Sequence, residues 1–350
     1  GGHVFPCALT IGTYAAVKKR DDDKIRMASL NINDAAVSEM TLESIKNKSD
    51  DWTDYPQGVF VALCERGCVP KTGFDVLYYG NIPAGSGLSS SASLEVLTGL
   101  YLKDIFGFSN VSQLDLAYIG QKAESDFVGT KCGIMDQFAS AMGKENAAMF
   151  LECDSMKYDY LPLELKDAKI VITNSMVKHE LASSEYNTRR SECEQAVKLL
   201  AAKYDIKLLG ELTPAQFDEA RDLIADETIA KRAKHAIYEN DRTIQAVDAL
   251  RANDITTFGK LMNQSHVSLR DDYAVSCPEI DDLTAWAWEI DGVIGSRITG
   301  GGFGGCAVSI IKDSAIDTYK ETVGAKYKDK YGIEPEFYVV TPGEGARKLS

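Results

Sequence analysis

Strand-like and helix-like spacings of apolar residues alternate along this chain. The runs Val4–Ile11 and Lys24–Ile32 read as strands between helical patterns, and Phe74-Asp75-Val76-Leu77-Tyr78-Tyr79 alternates with a period of two before a turn. Beyond the turn at Gly80–Gly87, apolar residues recur at Leu88, Ala92, Val96 and Leu100, and again at Leu97, Tyr101 and Ile105, which is the spacing of a helix. The local order is strand, glycine loop, helix. Ser112 with Asp115 three residues on predicts a capped helix reaching about Glu124, and another helix is expected from near Gly133. An acidic, proline-containing stretch around Leu161–Asp167 then precedes the strand candidate Lys169–Asn174, so a domain boundary is expected there, dividing the chain into 1–166 and 167–350. Helical patterns follow at Ser184–Tyr204 and Thr228–Ala252, and Ala307–Ile311 reads as the final strand. The whole is α+β.

Composition narrows the class. A chain of 350 residues, 45% hydrophobic and 26% charged, is ordinary globular material long enough for two domains. Its formal net charge of −14 argues against nucleic acid or an anionic membrane as partner, because phosphate surfaces reward clustered Lys and Arg. No run approaches the ~18 apolar residues of a membrane span, and Gly1 to Pro6 lack the features of a signal peptide, so a cytoplasmic protein is expected; separately, a monomer is expected. The eight cysteines are scattered and read as reduced thiols. Cys64 and Cys68 form the one close pair, with no neighbouring histidine pair to complete a zinc site.

Two segments carry candidate chemistry. The string Pro83-Ala84-Gly85-Ser86-Gly87-Leu88-Ser89-Ser90-Ser91-Ala92 puts glycines and hydroxyls at a helix N-terminus, where unpaired backbone N–H groups favour an anion. It is neither a Walker A loop, since no Lys follows Gly87, nor a dinucleotide fingerprint, since Ser90 stands where the third glycine belongs. A plain glycine turn with serine caps is the competing account. Further on, Glu124 ends one expected helix and Asp136 lies in the first turn of the next, so both can face one cleft; Asp136 could equally do no more than complement the helix dipole.

The serine-rich string resembles the second motif of the GHMP small-molecule kinases, and Cys132-Gly133-Ile134-Met135-Asp136-Gln137 resembles their galactokinase branch. Asn174–Arg190 and Thr299-Gly300-Gly301-Gly302-Phe303-Gly304-Gly305 continue the likeness, the latter as the third family motif. The resemblance implies a two-lobed kinase, with an N-terminal lobe related to a ribosomal-protein fold and a C-terminal ferredoxin-like lobe. It implies ATP-dependent phosphorylation of the anomeric hydroxyl of galactose, with Mg²⁺ as metal. By the same resemblance Gly85, Ser86, Gly87, Leu88, Ser89, Ser90 and Ser91 wrap the nucleotide phosphates, and Ser91 with Glu124 holds Mg²⁺. Asp136 acts as general base or orients the hydroxyl, Gly133 and Tyr186 contact the sugar, and Ser29 and Trp52 lie on the nucleotide side. From periodicity alone, Tyr186 reads as the first residue of a core stripe, and Trp52 as a buried core aromatic. The likeness starts at Gly1, whereas in the family a first motif, Arg-x-Asn-Leu-Ile-Gly-Glu-His-Thr-Asp-Tyr-Asn, comes immediately before Gly-Gly-His-Val-Phe-Pro. The chain as written is therefore expected to be truncated at its start and to turn over little galactose. A kinase for N-acetylgalactosamine or arabinose, and a non-enzymatic galactose-responsive binding protein, are the alternative readings.

Overall fold

A computed structural model of the protein describes residues 1–83, 87–178 and 182–349, without the side chains of residues 33, 178 and 182–184. The chain forms two compact units. One comprises Pro6–Ala84, Ser89–Glu145 and Pro342–Ser350, and is here the serine-loop unit; the other comprises Gly1–Phe5, Gly85–Leu88 and Asn146–Thr341, the glycine-loop unit.

The chain opens with β1 (His3–Val4), part of the glycine-loop unit, and then builds the other unit from β2 (Thr13–Lys19), β3 (Lys24–Ser29), β4 (Ser38–Thr41), α1 (Asp54–Glu65) and β5 (Phe74–Gly80). The sheet order is β2-β5-β3-β4, with β3 parallel to β5 and the other pairs antiparallel. Alternation along β5 buries Phe74, Val76 and Tyr78 and exposes Leu77 and Tyr79, as the period of two requires. Three helices follow, α2 (Ser90–Phe106), α3 (Gln113–Lys122) and α4 (Met135–Met142). Helix α2 covers the buried face of β5: the Tyr78 hydroxyl lies 3.0 Å from Thr98 Oγ1 and 2.7 Å from the Tyr101 hydroxyl. Gly107, in the left-handed region, closes α2, and the expected cap opens α3, Ser112 and Asp115 each bonding the other's backbone N–H. Between α3 and α4 the chain widens into a π-helical turn, Ala123–Val128, which carries Glu124.

The glycine-loop unit continues with β6 (Ala147–Glu152), β7 (Tyr158–Pro162), β8 (Ala168–Lys178), α5 (Ala182–Leu200), α6 (Pro214–Ala220), α7 (Glu227–Arg251), α8 (Ile255–Asp271), α9 (Pro278–Trp288), β9 (Val293–Ile298), β10 (Gly304–Lys312), α10 (Ile316–Tyr331) and β11 (Glu336–Val340). Strands β11-β8-β10-β9 form an antiparallel sheet, and β1-β6-β7 a smaller one. The segment read as the final strand is followed by α10 and β11, and β9, α8, α9 and α10 also lie outside the sequence reading. Their apolar residues mix with small and polar ones that are nonetheless buried, such as Ser296, Thr284, Ser265 and His266, which blurs the period. The sheet's core partners are Ile280, Leu283 and Ala287 of α9 and Tyr319, Val323 and Tyr327 of α10. Among the described residues no helix is long and apolar enough to cross a membrane. All eight cysteines are free thiols.

Buried His235 on α7 stacks on Tyr273 at 4.3 Å and pairs through Nδ1 with Ser268 Oγ at 2.9 Å. Burial lowers its pKa from 6.5 to about 4, the charges of Arg242 and Arg297 adding to the fall and those of Glu239 and Asp272 opposing it. The folded state thus binds fewer protons here than the unfolded chain between pH 6.5 and 4, so the penalty is absent above that window and grows as pH falls through it, to roughly 3 kcal/mol. Thermal melts of wild type and His235→Asn across pH 4–7 should show the variant losing less stability on the acid side; parallel curves would contradict this.

Candidate active site

Serine-rich sequence and two carboxylates meet in the serine-loop unit because α2, α3 and α4 pack against one another. Ser89 sits before α2 with φ 56° and ψ 42°, and its side chain does not cap the helix. It hydrogen-bonds instead to Asp136 in the first turn of α4. Burial raises the Asp136 carboxyl above the usual carboxylate range, and the Ser89 bond pulls the other way. Ser91, the second residue of α2, donates to Glu124 Oε1 at 3.4 Å. Glu124 is raised by burial and then by the like charge of Asp136. A third carboxyl, fully buried Glu95 of α2, is raised well above its usual range by burial and by Glu124. Gln137 bridges the two, its Nε2 donating to Glu95 Oε2 at 3.0 Å and to Glu124 Oε2 at 2.8 Å.

This donor set fits Mg²⁺. A hard cation takes oxygen ligands and keeps part of its water, so Ser91 Oγ and Glu124 Oε1 with waters and phosphate oxygens would suffice, and the crowded carboxyls supply a negative potential that a cation relieves. Among the described residues no cluster of three His, Cys, Asp or Glu side chains forms a closed metal cage, Cys64 and Cys68 included.

Ser90 begins α2 and is exposed; Gly133, two residues before α4, is exposed with open space around it. Ser29 ends β3, buried, and accepts a hydrogen bond from the Asn31 N–H at 3.3 Å. Trp52 is half-buried, its ring edge-on to Tyr78 at 5.7 Å, so it is not the fully enclosed core aromatic of the plainer account. Gly85 and Ser86 lie outside the described residues.

In the glycine-loop unit, Gly87 with φ 74° faces the loop of Gly300, whose φ is 76°; a Cβ on Gly300 would stand 2.2 Å from the Gly87 carbonyl oxygen. Two glycine strings thus approach backbone to backbone, Leu88 following half-buried. Gly302 has φ 89°, and its Cβ would meet the Val275 oxygen at 2.4 Å. That oxygen accepts from the Phe303 N–H at 2.7 Å. Arg189 of α5 secures the same turn, donating through Nε to the Tyr273 carbonyl at 2.8 Å and through Nη2 to that of Ala274 at 3.1 Å, with Phe303 5.9 Å from the guanidinium. Tyr186, one turn earlier on α5, is 41% exposed, which rules out the core-stripe account.

Residues 54–144 match the family described as GHMP kinases N terminal domain, and residues 246–329 match GHMP kinases C terminal. A galactokinase of Clostridium beijerinckii is 52% identical over 350 residues, covering all of this chain and 90% of that protein. The chain belongs to the galactokinase family. The galactokinase of Bacillus subtilis is 49% identical with the same coverage. In three dimensions the family likeness extends to Lactococcus lactis galactokinase, solved in complex with galactose: TM-score 0.96, 43% identity, all of this chain and 90% of that one. Methanococcus jannaschii mevalonate kinase, at TM-score 0.67 and 20% identity over 98% of this chain and 92% of that one, shares the fold. The chain has the two-lobed GHMP kinase fold expected of the family.

Sequence reading passed over Glu95 and gave Gln137 no role. An acidic residue one helical turn after Ser91, among apolar neighbours, was the available signal.

Gly300→Ala should cost about 1–3 kcal/mol for its positive φ alone, before any clash with Gly87. Gly301→Ala, whose Cβ meets nothing within 4 Å, should melt close to wild type. Equal melting temperatures for the two variants would show that the two glycine strings are not pressed together.

Proposed function

We propose that this chain transfers the γ-phosphoryl group of ATP to the anomeric hydroxyl of D-galactose, giving galactose 1-phosphate and ADP, the first step of galactose breakdown. The observation that carries the reading is the Asp136 carboxyl, raised by burial, held by Ser89 and set beside Glu124, in a chain about half identical along its whole length to proteins named galactokinase. Those names do not favour a kinase for another sugar or a non-enzymatic binding protein.

In this reading Asp136 accepts the hydroxyl proton as the sugar oxygen bonds to the γ-phosphorus and the bond to the β-phosphate oxygen breaks. A carboxyl whose pKa is raised toward neutrality is a stronger base than a free aspartate. Ser91 and Glu124 hold Mg²⁺, which neutralises phosphate charge when bound. Gly85 to Ser91 cradle the phosphates, the N–H groups opening α2 contributing positive potential. Ser29 and Trp52 flank the nucleotide, and Gly133 and Tyr186 the sugar. Nucleotide and sugar are assigned chiefly to a lobe spanning 1–166, with 167–350 as the C-terminal lobe. The protein works as a cytoplasmic monomer on small molecules, without nucleic-acid or membrane partners.

In a version that carries the family's first motif, Asp136→Asn should lower kcat by ~10²-fold or more while ATP affinity holds, the usual effect of losing a positioned acid–base group. Near-normal kcat would reduce Asp136 to a helix-start carboxylate. For the sugar side, Tyr186→Ala should raise KM for galactose more than for ATP, with Tyr186→Phe milder; equal shifts for both substrates would indicate lost packing instead.

A further inference from the structure

Gln137 makes a costly arrangement. It is 1% exposed, and its Nε2 spends both hydrogens on two carboxyls, Glu95 Oε2 and Glu124 Oε2, while its own Oε1 is buried without a hydrogen-bond partner. Glu95, wholly buried, likewise leaves Oε1 unpartnered. A buried amide that served packing alone would be replaced without loss by an apolar side chain of its shape. Space for the pair is cut into α3: a Cβ at Gly120 would lie 3.0 Å from Gln137 Cγ and 3.3 Å from Glu95 Cβ and Oε2. Three helices therefore converge to fix one amide.

What the amide fixes is the rotamer of Glu124. With Oε2 taken by Gln137, the other oxygen, Oε1, is the one that faces Ser91. We propose that Gln137, anchored by Glu95 and admitted by Gly120, is a positioning residue that orients Glu124 so that its Oε1 and Ser91 Oγ stand together as the protein oxygens of the Mg²⁺ site. This rests on the reading of Ser91 and Glu124 as the metal pair. Outer partners of this kind tune metal affinity through the ligand they hold, typically 10–100-fold.

The test uses Mn²⁺ as probe, titrated into the full chain with ADP and no sugar and followed by electron paramagnetic resonance, so that no turnover is needed. Gln137→Met keeps the shape and removes the donor; it should weaken Mn²⁺ binding about tenfold or more. Glu95→Gln, which retains an acceptor oxygen for the amide, should stay within about threefold of wild type by the same reasoning. Because Gln137 acts through Glu124, the double variant Gln137→Met, Glu124→Gln should bind Mn²⁺ no more weakly than Glu124→Gln alone. A purely structural role would leave Mn²⁺ affinity untouched or give additive losses. Wild-type Mn²⁺ affinity in Gln137→Met beside a weakened Glu124→Gln overturns the positioning role and leaves the metal reading standing. An unaffected Glu124→Gln overturns the metal reading itself, and the inference with it. Should Gln137→Met not fold, Glu95→Met removes the other end of the same bridge and is held to the same outcomes.

Discussion

Like charges held close together in a buried place are the constraint around which the serine-loop unit is arranged. Glu95, Glu124 and Asp136 come from α2, the π-helical turn and α4, and each carries its proton more tightly than in water because burial, and for the two glutamates a neighbouring carboxyl, disfavours the anion. Hydrophobic contact alone would not choose such neighbours. The helices tolerate them because an amide and two serine hydroxyls share out the oxygens.

The second organising feature is backbone approach without side chains. Gly87 and Gly300 meet where a single Cβ would collide with a carbonyl oxygen, and Gly302 meets Val275 in the same way. Such close backbone approach is open only to residues without a Cβ, and Gly300 and Gly302 also hold positive φ values that other residues rarely adopt.

Much of this was legible in the sequence. The helix cap at Ser112 and Asp115, the alternation at 74–79 and the carboxylate in the first turn of α4 are local signals, set by neighbours within a few residues, and they appear as read. The resemblance of the motifs to the galactokinase branch agrees with the family shown by the relatives. What escaped reading depends on distant partners. Glu95 looks like a misplaced charge until Gln137 is known to stand 3.0 Å away, 42 positions on. Strands β9 and β11 carry too weak a period alone and are recruited by pairing with β10 and β8. Helix α8 buries a histidine that an apolar stripe would not contain, satisfied by Thr284 at 2.8 Å and by the Ile298 N–H at 3.2 Å.

Arg189 gives the glycine loop a property that its motif does not advertise. The guanidinium reaches the Tyr273 carbonyl across 84 positions of sequence and the Ala274 carbonyl across 85, and the turn so held is the one that receives Phe303. The curve of the loop is therefore written in three widely separated stretches of the chain. Thr299 to Cys306, moved into another protein, would carry the glycines and leave the shape behind; the motif is a signature of this fold and not a portable module.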